Sequence, residues 1–266
     1  MAAPAETDRM SFFEHIEALR PHLVRSVVVV CLLTIAAFLC KRWLIDGVLF
    51  GPLSASFPTN RLIDLLASRA GIDYRVSTLD TVQLINNTVA GQFNLHLRLS
   101  FITALIVAIP YLLGEVWSFV RPALTESEVA HCRRLAGRAT AGFLLGLLFG
   151  YFIIAPLSIS FLTQYSLSES VQNLIDVRSY LSTVVQSSVA CALLFLLPLL
   201  VQLLCRVGLL SSDFLARYRR HAIVVLALLA AVITPPDAFS MVLVLGPLTL
   251  LYEYSIRVAR RTEMRK

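Results

Sequence analysis

Charge is scarce in this sequence: only 15% of its 266 residues are Asp, Glu, Lys or Arg. It also lacks a glycine-rich phosphate loop, a metal-ligand spacing and any nucleophile beside an obvious base. Its histidines, at positions 15, 22, 96, 131 and 221, are scattered over connectors and helix ends. Hydrolysis therefore finds no support, and the chain reads as non-enzymatic, with no metal and no cofactor. The cysteines show no pairing pattern. Cys31, Cys191 and Cys205 lie in or at the end of apolar runs, Cys132 in a basic connector and Cys40 alone near the far side of the first run. They read as ordinary buried thiols. A cleavable signal peptide is also missing from the pattern. The N-terminus is charged and amphipathic, and no small-residue cleavage site follows the first apolar run, which reads as a permanent anchor.

What the sequence has is apolar length. Hydrophobic residues make up 57% of the chain and mean hydropathy is +0.75, well above an ordinary water-soluble domain. The apolar segments are Val24 to Cys40, Leu99 to Val120, Ala139 to Leu162, Tyr180 to Cys205, Ala222 to Ile233 and Ala238 to Ile256. A span needs roughly 20 such residues, because the hydrocarbon core is about 30 Å thick and a helix rises about 1.5 Å per residue. The first four qualify, the first only with its flanks. The net charge of +6 does not point to nucleic acid, because the basic residues are dispersed at the ends of apolar runs rather than gathered on one face.

Charge placement predicts orientation. The N-terminus, the Arg121 to Arg138 connector, the Arg206 to Arg220 connector and the C-terminal tail carry 16 Lys and Arg, against 7 on the opposite side. The positive-inside rule makes the first set cytoplasmic. Arg217, Arg219 and Arg220 precede the last two apolar segments, and Arg257, Arg260 and Arg261 follow them. Both ends of that stretch then share one side, so it reads as a hairpin turning at Thr234-Pro235-Pro236-Asp237, with Asp237 able to cap the second arm. Its first arm holds about 12 apolar residues, or about 18 Å of helix, short for a crossing.

The expected fold class is all-α, a polytopic bundle of six transmembrane helices within a single domain over 1–266. Residues 1–23 form an amphipathic cytoplasmic N-terminus, 41–97 and 163–179 periplasmic loops, 121–138 and 206–221 cytoplasmic loops, and 257–266 a cytoplasmic tail. Pro110, Pro156, Pro198 and Pro247 fall inside apolar runs, where each tends to kink its helix, although prolines are common in membrane helices.

Few polar groups stand out. Ser11 and Glu14 have capping-box spacing, Phe12, Phe13, Ile16, Leu19 and Leu23 make an apolar stripe, and Glu14, His15, Glu17 and Arg20 remain on the polar side. Such a helix either steadies the first span or offers a binding face. Thr125 and Glu128 repeat the capping-box spacing, yet carboxylates in a basic connector also suit a cationic peptide, since Arg grips carboxylate through a planar fork. Glu115 lies in the second apolar run near its end, and Glu253 in the sixth, with Arg257 four residues on. Both read either as pairing at the membrane edge or as functional carboxylates. Gln186 and Gln202 read as helix–helix hydrogen bonders.

Three stretches together resemble the TatC family, the multi-spanning receptor subunit of the twin-arginine protein translocase. They are Ser11-Phe-Phe-Glu-His-Ile-Glu-Ala-Leu-Arg20, then Glu115-Val-Trp-Ser-Phe-Val-Arg-Pro-Ala-Leu124 with Glu128, then Thr234-Pro-Pro-Asp-Ala-Phe-Ser240 followed by Pro247 and Tyr252-Glu253. The resemblance implies recognition of signal peptides bearing two adjacent arginines, and export of folded cargo with single-span TatA/TatB-type subunits, driven by the proton gradient. It implies the bacterial cytoplasmic (inner) membrane, a lipid bilayer around the chain, a homo-oligomer within the receptor complex, and no nucleic acid partner. By position, Glu128 contacts the arginines, with Phe119 and Pro122 shaping that surface and Glu14, Glu17 and Arg20 beside it. Thr234, Pro235, Pro236 and Ser240 fall where a partner helix docks, and Asp237 holds the outer turn.

Three positions depart from the family. It usually has Glu at the position of Ala18, a polar residue at that of Leu196 and Gln at that of Met241. At about 100° per residue, Glu14 lies about 40° from position 18, one turn earlier on the same face, and can take over an arginine contact. No polar neighbour offers the same for Leu196, since Gln202 lies about 240° further round. Two alternatives stay open: a small-solute or ion transporter, and a TatC-like scaffold without full transport activity. The first favours internal repeats and central polar sites, which this sequence does not display.

Overall fold

The computed structural model describes residues 12–70, 82–120, 126–165, 168, 173–207, 209–233 and 238–263. They are almost wholly helical, as a lipid environment requires, because no water is there to satisfy free backbone groups. Four helical stretches are long and apolar enough to cross a membrane among the described residues: Leu19–Leu39, Gly91–Phe119, Ala136–Gln164 and Val177–Cys205. They answer to the first four expected runs.

Two compact units are present, Met1–Leu39 with Ser100–Gly137, and Cys40–Leu99 with Arg138–Lys266. In the first, helix α1 runs unbroken over Phe12–Leu39. The amphipathic stretch and the first span, expected as two pieces, are thus one helix, and Pro21 sits inside it. No residue of Leu19–Leu39 is buried, and Leu23, Val27, Leu32 and Ile35 are all exposed. Apolar exposure on that scale suits lipid and not water. The partner of α1 in this unit is the second half of α3 (Gly91–Val120), a helix that begins at Gly91 rather than Leu99 and carries Pro110 inside it.

The second unit holds the remaining elements. Between α1 and α3 lie a π-helical turn at Trp43–Leu49, a 3-10 turn at Gly51–Leu53 and helix α2 (Pro58–Ala70). Its apolar plug of Leu44, Leu49 and Leu53 is fully buried. Tyr151 and Tyr180 donate to the carbonyls of Val48 and Leu49 at 2.6 and 2.7 Å, which satisfies backbone acceptors in that plug. Strand β1 (Leu84–Ile85) pairs in parallel with β2 (Ile175–Asp176), joining the two expected periplasmic loops. This is a small addition to an otherwise all-α reading.

Of the four prolines expected to kink their helices, Pro110 and Pro247 lie inside unbroken helices, whereas Pro156 and Pro198 lie beside interruptions. Helix α4 (Glu126–Phe149) passes through a π-helical turn at Gly150–Ile154 into α5 (Ala155–Gln164), where Pro156 offers no N–H to the preceding turn. The fourth expected span is two helices, α6 (Val177–Leu194) and α7 (Leu197–Val207), parted at Phe195 and Leu196 just before Pro198. There Leu196 N–H turns to the Leu193 carbonyl at 3.1 Å, a tighter turn than an α-helix makes.

Glycine sets the packing of α4 on α6. A Cβ on Gly146 would stand 2.6 Å from the Cys191 carbonyl oxygen and 2.7 Å from Ala192 Cα, and one on Gly150 2.6 Å from the Ser187 carbonyl oxygen. Gly142, Gly146 and Gly150, spaced by four, thus let one backbone rest on another, a small-residue contact of the kind that joins membrane helices. Helix α8 (Ser212–Arg217), α9 (Arg219–Ile233) and α10 (Ala238–Glu263) complete the unit. Leu226, Ala230, Val244 and Leu248 from α9 and α10 share a buried cluster with Ile154, Cys191 and Leu194. Tyr252 of α10 donates to the Leu215 carbonyl of α8 at 2.9 Å.

Candidate functional site

Tyr111, Glu115 and Phe119 are spaced by four on α3, so they stand one above another on a single stripe. His22 of α1 meets that stripe. Its Nδ1 donates to Glu115 Oε2 at 2.6 Å, since an ionised carboxylate only accepts. Tyr111 donates its hydroxyl to the other oxygen, Oε1, also at 2.6 Å. The imidazole makes a T-shaped contact with the Phe119 ring, with centroids 6.1 Å apart and planes at 69°. Glu115 and His22 keep 13% and 21% of their side-chain exposure, so the pair is largely withdrawn from solvent. A carboxylate at the end of an apolar span is costly unless both oxygens are satisfied. Here both are.

Of the expected signal-contacting residues, Glu17 and Arg20 are exposed on the first turns of α1, and Phe119 sits half-buried on α3. Glu14 lies on the backbone of α1, and Glu128 on the first turn of α4, but their side chains fall outside the described residues. Pro122, Thr234, Pro235, Pro236 and Asp237 also fall outside them, as does the Ser240 side chain. The structure therefore brings Phe119 and Glu115 together with His22 in one unit.

Glu253 pairs differently from the sequence expectation. Its Oε1 lies 3.0 Å from Arg219 Nε, at the first residue of α9, rather than on Arg257 of its own helix. The bond ties the two arms of the terminal hairpin across their basic ends. With both side chains nearly half exposed, it is a rim contact. Arg219 and His22 were missed as partners. Depth could have revealed His22: it stands at the start of the first apolar run, Glu115 at the end of the second, and both boundaries fall on the side rich in basic residues.

Of the three positions expected to depart from the family, the Ala18 side chain lies outside the described residues. Met241 packs half-buried against the cluster of Val244, Leu248 and Cys191. Leu196 sits in the break between α6 and α7, its Cδ2 facing Gly142.

A family model described as Sec-independent protein translocase protein (TatC) matches residues 14–247. The chain belongs to the TatC family. It is 36% identical over 257 residues to the Sec-independent protein translocase protein TatC of Blattabacterium sp. subsp. Periplaneta americana, covering 96% of each chain. To the TatC protein of Deinococcus radiodurans it is 32% identical over 259 residues, covering 97% of this chain and 88% of that one. A crystal structure of a "Twin Arginine Translocase Receptor- TatC" superposes with a TM-score of 0.68 at 27% identity, over 94% of this chain and 100% of that one. With four long apolar helices, this TatC-family chain is a multi-pass membrane protein of a protein-transport family. The family match covers Glu115 and Phe119 on α3 and His22 on α1 alike.

Proposed function

We propose that this chain is the receptor subunit of a twin-arginine translocase in a bacterial cytoplasmic membrane, crossing it six times with both termini in the cytoplasm. It binds twin-arginine signal peptides and, with single-span TatA/TatB-type subunits, exports folded proteins using the proton gradient. Helices α9 and α10 are the fifth and sixth spans. The observation that carries this reading is the likeness over 94% of the chain to a solved twin-arginine translocase receptor. The four helical stretches long and apolar enough to cross a membrane support it.

Within that reading Glu128 binds the arginine pair, Glu14 stands in for the carboxylate absent at Ala18, and Phe119 and Pro122 shape the surface beside Glu17 and Arg20. Thr234, Pro235, Pro236 and Ser240 receive a partner helix, and Asp237 holds the turn. Photocrosslinking of the purified protein to a twin-arginine signal peptide, with a twin-lysine control, tests it. Strong arginine-dependent labelling is expected, and equal labelling of both peptides would overturn the reading. A scaffold that binds signals without completing transport is favoured by one observation: Leu196 and Met241 place apolar groups in packed positions. Complementation of a translocase-deficient strain separates the two.

A further inference from the structure

The polar cluster between α1 and α3 has a feature that neither the charge pattern nor the family motifs assign. His22 bears on three consecutive turns of α3 through one ring: directly on Glu115, in a T-shaped contact with Phe119, and through Glu115 on Tyr111. A 2.6 Å bond at that point ties α1 to α3 in one register. Slipping one residue moves a helix about 1.5 Å along its axis, enough to break it. On α1, Glu17 and Arg20 lie within about two turns of His22, and on α3 Phe119 lies one turn from Glu115.

We propose that His22 is a positioning residue for the signal-binding surface: by holding Glu115 it sets the register of α1 on α3, and so the placement of Phe119 against Glu17 and Arg20. This rests on the receptor reading above. His22 touches no signal arginine itself, because its ring is spent on Glu115 and Phe119. Tyr111 keeps the carboxylate turned toward His22 by occupying its second oxygen. The proposal makes the side-chain N–H, rather than a charge, the part that matters. An asparagine, whose amide N–H stands at the same depth on the side chain as the imidazole Nδ1–H, then substitutes for it, and an alanine does not.

The test uses the full-length protein in nanodiscs, with the native cysteines replaced by alanine and spin labels on Val27→Cys and Val116→Cys, both exposed positions on α1 and α3. Two readouts are taken from the same preparations: the label-to-label distance distribution, and photocrosslinking to twin-arginine and twin-lysine signal peptides. His22→Ala is expected to broaden the distance distribution and to lower twin-arginine labelling about tenfold, as loss of a hydrogen bond to a charged group would. His22→Asn is expected to restore the narrow distribution and to bring labelling within about twofold of the parent. A His22→Ala protein that keeps its arginine-dependent labelling overturns the positioning role and leaves the receptor reading standing. So does a His22→Asn protein that folds but labels as poorly as His22→Ala. Equal labelling of both peptides by the unsubstituted protein overturns the receptor reading instead, whatever the distances show.

Discussion

Tyr180 and Glu253 make polar bonds of similar length with very different surroundings. The Tyr180 hydroxyl reaches the Leu49 carbonyl at 2.7 Å from a side chain only 3% exposed, whereas Glu253 meets Arg219 at 3.0 Å in the open. Removing a buried donor leaves its acceptor unsatisfied, so Tyr180→Phe is expected to cost about 1–3 kcal/mol. Glu253→Gln is expected to cost under about 1 kcal/mol, because exposed ion pairs are screened and flexible. Thermal unfolding in detergent would show the order, and an equal loss from both would refute the account. A second comparison concerns signal contact. Glu128→Gln is expected to abolish twin-arginine crosslinking and Glu14→Gln to weaken it severely, if Glu14 replaces the carboxylate missing at Ala18. Intact binding by Glu14→Gln would remove it from the site. The sequence exposed Glu115 and Glu253 because a carboxylate in an apolar run stands out. It hid their partners, because His22 and Arg219 lie 93 residues and 34 residues away in the chain, beyond any local spacing rule.

At the scale of helices, the apolar runs were legible and their interruptions only half so. Pro198 announced a disturbance in the fourth run, yet a full break at Phe195 and Leu196 needs the neighbouring helix that accepts it. Helix α2 escaped notice because its 13 residues are too polar for a span and lie in a stretch read as loop. The contact of α4 with α6 was invisible for another reason. Glycine spaced by four is common in membrane segments, and only the partner's backbone shows which glycines are pressed. That difference yields an ordered series. Gly146→Ala and Gly150→Ala should each lower the unfolding temperature markedly, since the added methyl would meet backbone at 2.6 Å with nowhere to move. Gly142→Ala should be milder, its nearest backbone atom lying at 3.3 Å. Gly114→Ala, with nothing within 4 Å, should be neutral or stabilise by up to about 1 kcal/mol through helix propensity. Loss of this order in melting experiments would mean that α4 does not rest on α6 as described.

For the whole molecule, the decisive question is how the chain is threaded through the membrane. Helix α9 has 15 residues and so spans about 22 Å, less than a hydrocarbon core of about 30 Å, whereas the 26 residues of α10 reach about 39 Å. Alone, α9 would be a poor crossing. Its small buried residue Ala230 and its Leu226 pack on Val244 and Leu248 of α10, and the exposed Val224 and Leu228 present the opposite side to lipid. A short helix in that setting is accommodated by local thinning of the bilayer, at a modest cost per ångström. In the proposed threading the Arg219–Glu253 pair closes the hairpin at the end rich in Arg217, Arg220 and Arg257, on the cytoplasmic side that the positive-inside rule would give it. The threading predicts opposite accessibility for two exposed residues. In a cysteine-free background, Asn173→Cys should react with a membrane-impermeant maleimide in intact spheroplasts. Asp213→Cys, on α8 between the fourth and fifth spans, should react only after permeabilisation. Labelling of Asp213→Cys in intact spheroplasts would reverse the orientation, and labelling of both would mean that the bundle is threaded differently from a six-span receptor with its signal-binding surface on the inside.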